Sequence, residues 1–418
     1  MSRTAVIGAG VAGLTAAYLL SRRDDVTLFE AADRAGGHAH TQFLGADQMP
    51  VDTGFMVFNS GRYPQLSRLF SELGVRSRPT EMSMSVQCDG CGLAYLSGSP
   101  LRSVPAFAAG ADPSRWQRTR DELALFADTC DAILDSHATA DGPHEPIGQL
   151  LAEAGVSPFT VAHTVAPIIS AVWSCPARTA LDYPANFLLV FLDNHGLLAG
   201  RAATRWRTVV GGSASYVQRA AAHVSETLLG TPVRMMRRTA SGVEVLDSTD
   251  RVRTFERAVI AVHPAEALAI LADPTEAETR VLAALQYEHN IAVLHTDTSV
   301  LPRDAQNWAS WNVRLAGCTT TDRAPSIHYD LTRLQGLGAD ERYLLSLNPS
   351  VTLDRSRVIE SMTYEHPVYT AEAHVARQSL PSLDTPSLAF AGAYHGWGFH
   401  EDGCASGVRA AAALGVSW

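Results

Sequence analysis

The chain has 418 residues, of which 46% are apolar and 18% are charged, and its formal net charge is −10. This composition is typical of a globular protein with a large interior, and the length predicts two closely packed domains. The acidic balance argues against a nucleic-acid partner, since nucleic-acid binding needs clustered basic residues. All 33 cationic residues are arginine, so no lysine can form a Schiff base or hold a water molecule.

No stretch has the pattern of a targeting or membrane segment. The first apolar run begins almost at Met1, which leaves no room for a cleavable signal peptide. No apolar run approaches the roughly 18 to 20 residues of a membrane-spanning helix. We therefore expect a cytoplasmic protein without a transmembrane segment. Peripheral membrane contact and the oligomeric state stay open.

The first 30 residues predict a strand, a glycine-rich turn, a helix and a second strand. A short apolar run leads into a G-x-G-x-x-G pattern that starts at Gly8, and the second apolar run ends in Glu30. The glycines allow the turn, the approach of backbone N–H groups to a pyrophosphate, and the packing of helix on strand. Glu30 lies 20 residues after Gly10, where a carboxylate can accept hydrogen bonds from ribose hydroxyls. The pattern predicts a dinucleotide site without separating NAD from FAD.

The next part of the chain changes from strand-like to helical spacing. Residues 63–73 carry the apolar spacing of a helix, 78–100 alternate as strands do, and 101–200 are mostly helical in pattern. Long apolar runs occupy residues 158–173 and 184–198. Such runs are more often protein core than the lining of a substrate tunnel, and both interpretations stay open here.

Two of the six cysteines form a C-x-x-C pattern, Cys88-Asp89-Gly90-Cys91. A zinc site would lack ligands, because no second cysteine pair accompanies the first. Asp-Gly between alternating residues is a hairpin signal. We therefore interpret the cysteines as flanking a β-turn and predict no metal ligands, with a metal or redox function as the minor alternative. No disulfide framework is indicated, which favours a reducing compartment.

The dinucleotide-binding pattern resumes near residue 205. Residues 211–213 (Gly-Gly-Ser) open a predicted helix, a strand begins at Val233, and the apolar run 257–262 predicts a buried strand. Predicted helices and then strands follow up to about residue 380. The sequence therefore predicts that two domains interleave along the chain.

The C-terminal residues predict a strand and a helix. An apolar strand at 388–391 ends at Gly392, and after residues 398–403 the pair Ser406-Gly407 opens an alanine-rich helix at 408–414. The N-terminus of a helix carries partial positive charge and favours negative charge placed before it.

The predicted fold class is α/β: a Rossmann-type domain interleaved with an α+β substrate domain of mixed sheet and helices. We place the dinucleotide-binding domain at 1–75, 205–265 and 381–418, and the substrate domain at 76–204 and 266–380.

These patterns resemble those of the FAD-binding family that includes amine oxidases, protoporphyrinogen oxidase and phytoene desaturases. The characteristic pattern is E-x-x-x-R-x-G-G, which runs here from Glu30 through Arg34 to Gly37. His38 stands where the family usually has arginine, and Ala393 replaces a usual acidic residue. The resemblance implies an FAD cofactor. Within the family, the chain is most similar to a bacterial branch of predicted NAD/FAD-binding flavoproteins linked to the modification of fatty acyl chains.

The resemblance also implies which residues contact the cofactor. In the family, the C-terminal helix directs its positive end at the flavin N1/O2 edge, where negative charge accumulates on reduction. The implied FAD contacts are Gly8, Gly10, Val11, Ala12, Gly13, Glu30, Ala31, Arg34, Gly36, Gly37, His38, Gly54, Phe55, Met56, Val233, Ala261, His263, Gly392, Glu401, Asp402, Gly403 and Ser406.

His400, Glu401 and His395 are the candidate acid/base groups, because they precede the turn expected to face the flavin. The alternatives are that Glu401 hydrogen-bonds the ribose or a backbone turn and that His400 packs as a wall. An aromatic cage or a neutral amide could contact the substrate, although each of these side chains could equally be core. The candidate substrate contacts are Asn59, Trp308, Trp311, Trp397 and Phe399.

FAD chemistry together with the lack of lysine leads to a functional hypothesis. In the amine oxidase branch a lysine typically holds a water molecule at flavin N5, and this chain has none. We therefore predict an FAD-dependent oxidoreductase whose flavin N5 accepts a hydride from a hydrophobic, unsaturated, lipid-like substrate such as a fatty acyl chain. Desaturation and double-bond isomerisation are both open.

Three alternatives remain beside this hypothesis. One is an amine oxidase-type enzyme, and another is a non-catalytic flavin-bound partner of a lipid-modifying complex. The third, an NAD(P)-dependent dehydrogenase, conflicts with Arg34 and with the C-terminal flavin pattern.

Overall fold

The computed structural model describes residues 1–97, 108–135, 145–196 and 205–418. The chain divides into two compact units, each built from separate stretches of sequence. The first unit comprises Met1–Arg78, Val209–Gln286 and Glu372–Trp418, and the second comprises Pro79–Thr208 and Tyr287–Ala371.

Helices occur in both units, and within the described ranges none is long and apolar enough to cross a membrane. A π-helical turn, Val161–Val165, directly precedes one of them. In chain order the α-helices are α1 (Val11–Leu20), α2 (Pro64–Glu72), α3 (Pro113–Asp135), α4 (Ile147–Glu153), α5 (Pro158–Thr160), α6 (Ala166–Trp173), α7 (Ala177–Leu181), α8 (Ala185–Asn194), α9 (Ala214–Ala221), α10 (Pro264–Ile270), α11 (Glu276–Ala283), α12 (Leu331–Leu334), α13 (Ala371–Ser379) and α14 (His400–Ala413).

The strands are numbered in the same way. They are β1 (Arg3–Ile7), β2 (Asp25–Phe29), β3 (Thr41–Leu44), β4 (Met49–Asp52), β5 (Phe58–Asn59), β6 (Ser77–Pro79), β7 (Met84–Cys88), β8 (Ala94–Ser97), β9 (Trp206–Val209), β10 (Glu226–Leu228), β11 (Val233–Thr239), β12 (Gly242–Asp247), β13 (Val252–Phe255), β14 (Arg257–Ile260), β15 (Tyr287–His295), β16 (Trp311–Leu315), β17 (Ser326–Asp330), β18 (Leu344–Leu347), β19 (Val358–Pro367) and β20 (Leu388–Phe390).

The first unit is built on a parallel five-stranded sheet of order β10-β2-β1-β14-β20. Its strands are short apolar runs with little alternation, as expected for strands covered on both faces. All ten residues of α1 are buried, since this Ala- and Leu-rich helix packs against α9 and α14 as well as the sheet. The predicted α/β class with a Rossmann-type core is therefore confirmed.

Residues 266–286 and 372–380 belong to the first unit, and with them most of α10 and all of α11, whereas the sequence analysis placed the whole of 266–380 in the substrate domain. The reason is a set of contacts with the antiparallel β11-β12-β13 sheet. The Ala272 N–H donates to the Met236 carbonyl at 2.9 Å, and Arg238 pairs with Glu278 on α11. Helical patterning predicts α10 and α11 but not the sheet on which they pack.

The second unit contains a seven-stranded sheet of order β19-β15-β18-β17-β16-β7-β8. Its pairs are antiparallel except β7 with β16, which run parallel. Helices α6 and α8 contain the apolar runs noted above, and their large side chains are buried core. The Trp173 and Phe191 rings lie 4.6 Å apart, and Phe187 packs 4.7 Å from Tyr369. In the described residues these runs form core packing; the end of the second run, from 197, lies outside the described residues.

Candidate functional site

The glycine-rich turn joins β1 to α1 in the first unit. The Gly8 N–H donates to the Phe29 carbonyl at 2.8 Å, which ties the turn to the end of β2. A Cβ added at Gly13 would lie 1.9 Å from the Gly8 carbonyl oxygen, so only glycine permits this packing of helix on turn. The structure therefore forms the strand, turn and helix that the spacing predicted.

The space before α1 fits an anionic group. Gly10 is the N-cap residue, and within the described part of the chain no side chain caps this helix and no acidic residue lies in its first turn. A Cβ built on Gly10 would meet nothing within 4 Å, so it would project into open space. Uncapped N–H groups and the helix dipole favour a phosphate here. These features fit the FAD pyrophosphate.

Glu30 directly follows β2 and bridges two backbone groups beside the turn. Its carboxylate accepts from the Ala9 N–H at 2.8 Å and from the Ala32 N–H at 2.9 Å. A carboxylate has about four lone-pair positions, so both oxygens retain capacity to accept from ribose hydroxyls. Its role as a ribose contact remains a prediction, and its role in shaping the turn is visible directly.

Arg34 braces the loop that follows. Its guanidinium donates to the Gly37 carbonyl at 3.0 Å, and the Gly36 N–H donates to the Ala9 carbonyl at 2.8 Å. The loop therefore lies directly on the glycine-rich turn. The backbone of His38, which takes the place of the family's arginine, accepts from the Phe55 N–H at 2.7 Å.

The Asp-x-Gly region is joined to the start of α9. The Asp52 carboxylate accepts from the Ser213 N–H at 2.9 and 3.0 Å, from the Ser213 hydroxyl at 2.7 Å and from the Thr41 hydroxyl at 2.6 Å. Burial raises the pKa of Asp52 to about 6 against the lowering effect of these donors. The motifs at 52–54 and 211–213 are thus one structural feature, which the sequence presented as two.

The C-terminal helix starts earlier than the sequence predicted. We expected a helix over 408–414, and α14 begins at His400. The prediction of its start was wrong because the Asp402 carboxylate accepts from the Phe399 N–H at 2.8 Å and stabilises an earlier first turn. His400, Glu401 and Asp402 are therefore helical residues rather than part of a preceding turn.

Glu401 caps another helix. Its two carboxylate oxygens accept from the Gln65 and Leu66 N–H groups at 2.9 Å each, at the start of α2. This matches the alternative that Glu401 hydrogen-bonds backbone, and the contact satisfies two N–H groups that a helix start leaves unpaired. Burial raises the pKa of this carboxyl.

His400 is packed as a wall. Its ring stacks on Phe55 with centroids 3.7 Å apart, and its Nε2 lies 2.9 Å from the Tyr216 hydroxyl. Burial lowers its pKa to about 3, so the imidazole is neutral at physiological pH. The Tyr216 contact could not be predicted, because nothing in the spacing of the sequence links positions 216 and 400.

His395 belongs to a network around Arg409. The guanidinium lies 3.2 Å from the His395 ring nitrogens, donates to the Phe390 carbonyl at 2.6 Å and pairs with Asp384. Burial, followed by the charge of Arg409, lowers the pKa of His395. The imidazole is therefore held in its neutral form.

The two ends of the first unit meet at α1. A Cβ added at Gly403 would lie 2.6 Å from the Val11 side chain, so the first turn of α14 abuts the start of α1. The Ser406 hydroxyl accepts from the Gly392 N–H at 2.9 Å. Ala261 also reaches this region, since its N–H donates to the Ile7 carbonyl at 2.7 Å.

The candidate substrate contacts are distributed over both units. Asn59 is buried in the first unit and accepts from the Gly61 N–H at 3.1 Å, and Trp397 and Phe399 also lie in this unit. In the second unit the Trp308 indole donates to the Pro302 carbonyl at 2.7 Å. Trp311, the other candidate in the second unit, packs edge-to-face on Tyr329.

A parallel βαβ core, an open helix start, a carboxylate after the second strand and a closing C-terminal helix define a dinucleotide-binding flavoprotein fold. The family profile of flavin-containing amine oxidoreductases matches residues 11–415. The chain belongs to this family, which confirms the resemblance drawn from the sequence and FAD as the family's cofactor.

Several proteins are similar in sequence to parts of the chain. Coproporphyrinogen III oxidase of Mycobacterium tuberculosis is 30% identical over 183 residues, which are 42% of this chain and 38% of that protein. Tryptophan 2-monooxygenase of Allorhizobium ampelinum is 49% identical over 59 residues, 13% of this chain and 8% of that protein. The matched region thus spans well under half the length of these relatives.

Solved structures share the fold over nearly the whole chain. Cyclohexylamine oxidase from Brevibacterium oxydans superimposes with a TM-score of 0.70 at 17% identity, covering 99% of this chain and 98% of the other. A fatty acid isomerase from P. acnes gives a TM-score of 0.69 at 14% identity, covering 97% of each chain. At such identities these similarities establish the fold alone.

Proposed function

We propose that the protein is an FAD-dependent oxidoreductase acting on a C–H bond of a hydrophobic, unsaturated, lipid-like substrate, by desaturation or by double-bond isomerisation. When bound, FAD supplies a hydride acceptor that an isomerisation also uses as the donor. The observation that carries the proposal is the complete absence of lysine from the sequence. An oxidation that depends on a lysine-held water near the flavin has no counterpart in this chain.

The contacts of the candidate acid/base groups favour isomerisation over desaturation. Glu401 caps α2, His400 stacks on Phe55 beside Tyr216, and His395 faces Arg409. Net desaturation removes a proton as well as a hydride and needs a base within reach of the substrate. A redox-neutral shift of a double bond can proceed without a net proton acceptor. These side chains then act by shaping the site and excluding water from it, which strengthens its electrostatic interactions.

The relatives suggest substrate classes that an experiment can compare. The fatty acid isomerase shares the fold, as do amine oxidases, and one of the matched relatives is a coproporphyrinogen III oxidase. An acyl lipid, an amine and a porphyrinogen are therefore the three substrate classes to compare. We favour the acyl lipid, and we expect no nucleic-acid partner because the chain is acidic.

The test is anaerobic mixing of the FAD-loaded protein with three substrates: a dienoic fatty acid, a primary amine and a reduced porphyrinogen. We expect only the fatty acid to react, seen as a shifted or added double bond by mass spectrometry. Transient or lasting loss of flavin absorbance accompanies the reaction. Gly10→Ala, which we expect to bind FAD more weakly, is the matched control for flavin-dependent turnover, and its turnover should fall with its flavin content.

Rapid reduction by the amine would establish the amine oxidase alternative, and reduction by the porphyrinogen would establish an oxidase like the curated relative. Full FAD occupancy without turnover of any of the three would favour the non-catalytic, flavin-bound partner. Each of these results contradicts the proposed lipid substrate.

A further inference from the structure

Three cysteines and a histidine meet in the second unit, and none of them is among the predicted FAD contacts. The ligand atoms of Cys88, Cys91, His163 and Cys318 all lie within 4.8 Å of one another. Cys88 and His163 are buried, Cys318 is partly buried, and Cys91 is exposed. The cysteines are free thiols. The C-x-x-C pair, which lacked partners in the sequence, therefore has two in the fold.

The sheet register brings the cysteines together. Strands β7 and β16 run parallel with Cys88 opposite Leu315, so the chain that continues past β16 places Cys318 beside the β7–β8 turn. The Asp89 N–H donates to the Leu315 carbonyl at 2.9 Å, and Asp89 pairs with Arg314 at the same distance. The turn and the loop are thus fastened to each other by backbone and by charge.

The turn itself has the compactness that a metal knuckle needs. A Cβ added at Gly90 would lie 3.1 Å from the Gly317 Cα and 3.2 Å from the Cys318 sulfur, so a larger residue would push the loop away. The Cys88 N–H donates to the Leu93 carbonyl at 2.8 Å, and the Gly92 N–H donates to the Cys88 carbonyl at 2.9 Å, so backbone hydrogen bonds close the turn that carries the two cysteines.

His163 presents its ring in the orientation of a ligand. It lies in the π-helical turn, an irregularity often found at functional positions. Its Nδ1 lies 2.9 Å from the Phe159 carbonyl, and its Nε2 lies 3.6 Å from the Cys91 sulfur. Because a carbonyl oxygen can only accept, Nδ1 must carry the proton and donate to it. Nε2 is then unprotonated, and its lone pair is directed at the thiols. This is the usual outer contact of a metal-binding histidine.

Two of the six distances between the ligand atoms match tetrahedral zinc, and all six are within 4.8 Å. With Zn–S bonds near 2.3 Å, two tetrahedral sulfur ligands lie about 3.8 Å apart, and a sulfur and a nitrogen ligand lie about 3.6 Å apart. The Cys88 and Cys318 sulfurs are 3.8 Å apart, and the Cys91 sulfur is 3.6 Å from the His163 nitrogen. A bonded disulfide would need about 2.05 Å between sulfurs.

We propose that Cys88, Cys91, His163 and Cys318 bind one Zn²⁺ ion as a structural Cys₃His site. Four protein ligands fill the tetrahedral shell, so the ion has no open position for catalysis. Soft thiolates with one imidazole favour zinc over magnesium or calcium. The ion joins the β7–β8 turn, the π-helical turn and the loop after β16, which are distant in sequence. Exposed Cys91 gives the ion its path of entry.

The test measures zinc in the full-length, FAD-loaded protein, purified under reducing conditions without chelators and freed of any histidine tag. We expect about one zinc ion per chain by elemental mass spectrometry, as a closed Cys₃His site requires. Cys91→Ser and Cys318→Ser should lower the content at least about tenfold, since each removes one of four ligands. Cys91 is exposed, so we expect its variant to keep the fold. Cys175→Ser is the matched control, because Cys175 is a buried cysteine outside the cluster, and it should retain zinc.

Cobalt substitution provides the second measurement. Co²⁺ in this site should give thiolate charge-transfer absorption and intense tetrahedral bands to the red of the flavin, both lost in Cys91→Ser. Reduced protein that takes up no zinc, zinc retained by Cys91→Ser and Cys318→Ser, or a native Cys88–Cys318 disulfide found by peptide mapping would each overturn the proposal. Flavin content and turnover are read separately, so these outcomes do not depend on the proposed lipid chemistry.

Discussion

The cofactor residues of the first unit and the cysteine–histidine cluster of the second are assembled in different ways. From Gly8 to Gly37 the glycine-rich turn, the acid after β2 and the Arg34 loop follow one another within 30 residues. The cluster instead joins Cys88 to Cys318, 230 positions apart. A parallel βαβ unit brings its residues together through local connections, whereas a mixed sheet does so through strand register. The first kind of site is visible as a motif, and the second is not.

The largest expected effect tests the local kind of assembly. Gly13→Val would place side-chain atoms against the Gly8 carbonyl, where even a Cβ lies at 1.9 Å. Overpacking alone costs about 1–3 kcal/mol, and here the obstacle is backbone that cannot rotate away. We expect little folded protein and no bound flavin, measured by the yield of soluble protein and the ratio of flavin to protein absorbance.

Two glycine variants serve as controls for that result. Gly10→Ala should fold normally, because nothing lies within 4 Å of its added Cβ and its φ of −70° suits any residue. It should nonetheless bind FAD at least about tenfold more weakly, since the methyl group occupies space before the helix. A Cβ on Gly338, which is in the second unit, also meets nothing within 4 Å, so Gly338→Ala should change neither the folding nor the FAD affinity. Normal FAD affinity in Gly10→Ala would contradict the placement of the pyrophosphate.

The second prediction concerns the pH dependence of stability. Burial raises the pKa of Asp402 to about 7, from an ordinary value near 4. The folded state therefore binds this proton more tightly, and the stabilisation that is complete below about pH 4 is lost as pH rises through 7. Asp402→Asn keeps an acceptor for the Phe399 N–H without titrating. As the pH rises through this range, the free energy of unfolding should therefore fall less in Asp402→Asn than in the unchanged protein. The difference between the two proteins should be at most about 4 kcal/mol.

The measurement is denaturant unfolding of both FAD-loaded proteins at several pH values between 4 and 8. Asp52 and Glu401, whose pKa values burial also raises, titrate in both proteins, so the difference isolates Asp402. Parallel pH profiles for the two proteins would show that Asp402 is not protonated in the fold.

The third prediction tests a buried polar contact of the second unit. The Ser346 hydroxyl lies 2.6 Å from a ring nitrogen of both His295 and His328. Burial lowers the pKa of these imidazoles to about 4 and about 3, so both are neutral near pH 7. Ser346→Ala removes a partner from two buried nitrogens, and we expect a loss of about 1–3 kcal/mol.

Thermal and denaturant unfolding at pH 7 measure this loss. Ser361→Ala, an exposed serine of β19 in the same sheet, should be close to neutral. An equal effect of the two substitutions would mean that the shared hydroxyl contributes nothing specific.

The smallest expected effect concerns α11, which the sequence placed in the other domain. The Thr275 hydroxyl accepts from the Glu278 N–H at 3.1 Å, and the Glu278 carboxylate accepts from the Thr275 N–H at 2.7 Å. Thr275→Ala breaks this capping box and should cost about 1 kcal/mol. Thr275→Ser keeps the hydroxyl and should cost far less, so equal midpoints of denaturant unfolding for the two variants would contradict the role of the cap.

Much of the secondary structure followed from the sequence. The apolar spacing of residues 63–73 predicted α2 almost to its ends, and the strand predicted to begin at Val233 is β11. The start of α14 was missed, because it depends on the Asp402 capping contact rather than on apolar spacing. Periodicity identifies a helix face, and it identifies a helix end only where the cap is a recognisable residue.

The sequence predicted some parts of the site and missed others, for a similar reason. The glycine-rich turn and Arg34 lie where the motif placed them. The contacts of Glu401 with α2 and of His400 with Tyr216 could not be foreseen, since they join residues 184 or more positions apart. A motif states which residues a site contains, and packing decides which of their atoms are already engaged.

The sequence by itself determined the family, the flavin cofactor and the parallel core, because the turn that binds a dinucleotide is short and its glycines have no substitute. It also determined the absence of lysine chemistry, which no fold can restore. Only the tertiary structure decided that four residues from three distant segments converge at ligand distance. It also decided that the candidate catalytic groups are engaged as caps and walls. Both depend on strand register and helix packing, which are set by the whole core rather than by any one stretch of chain.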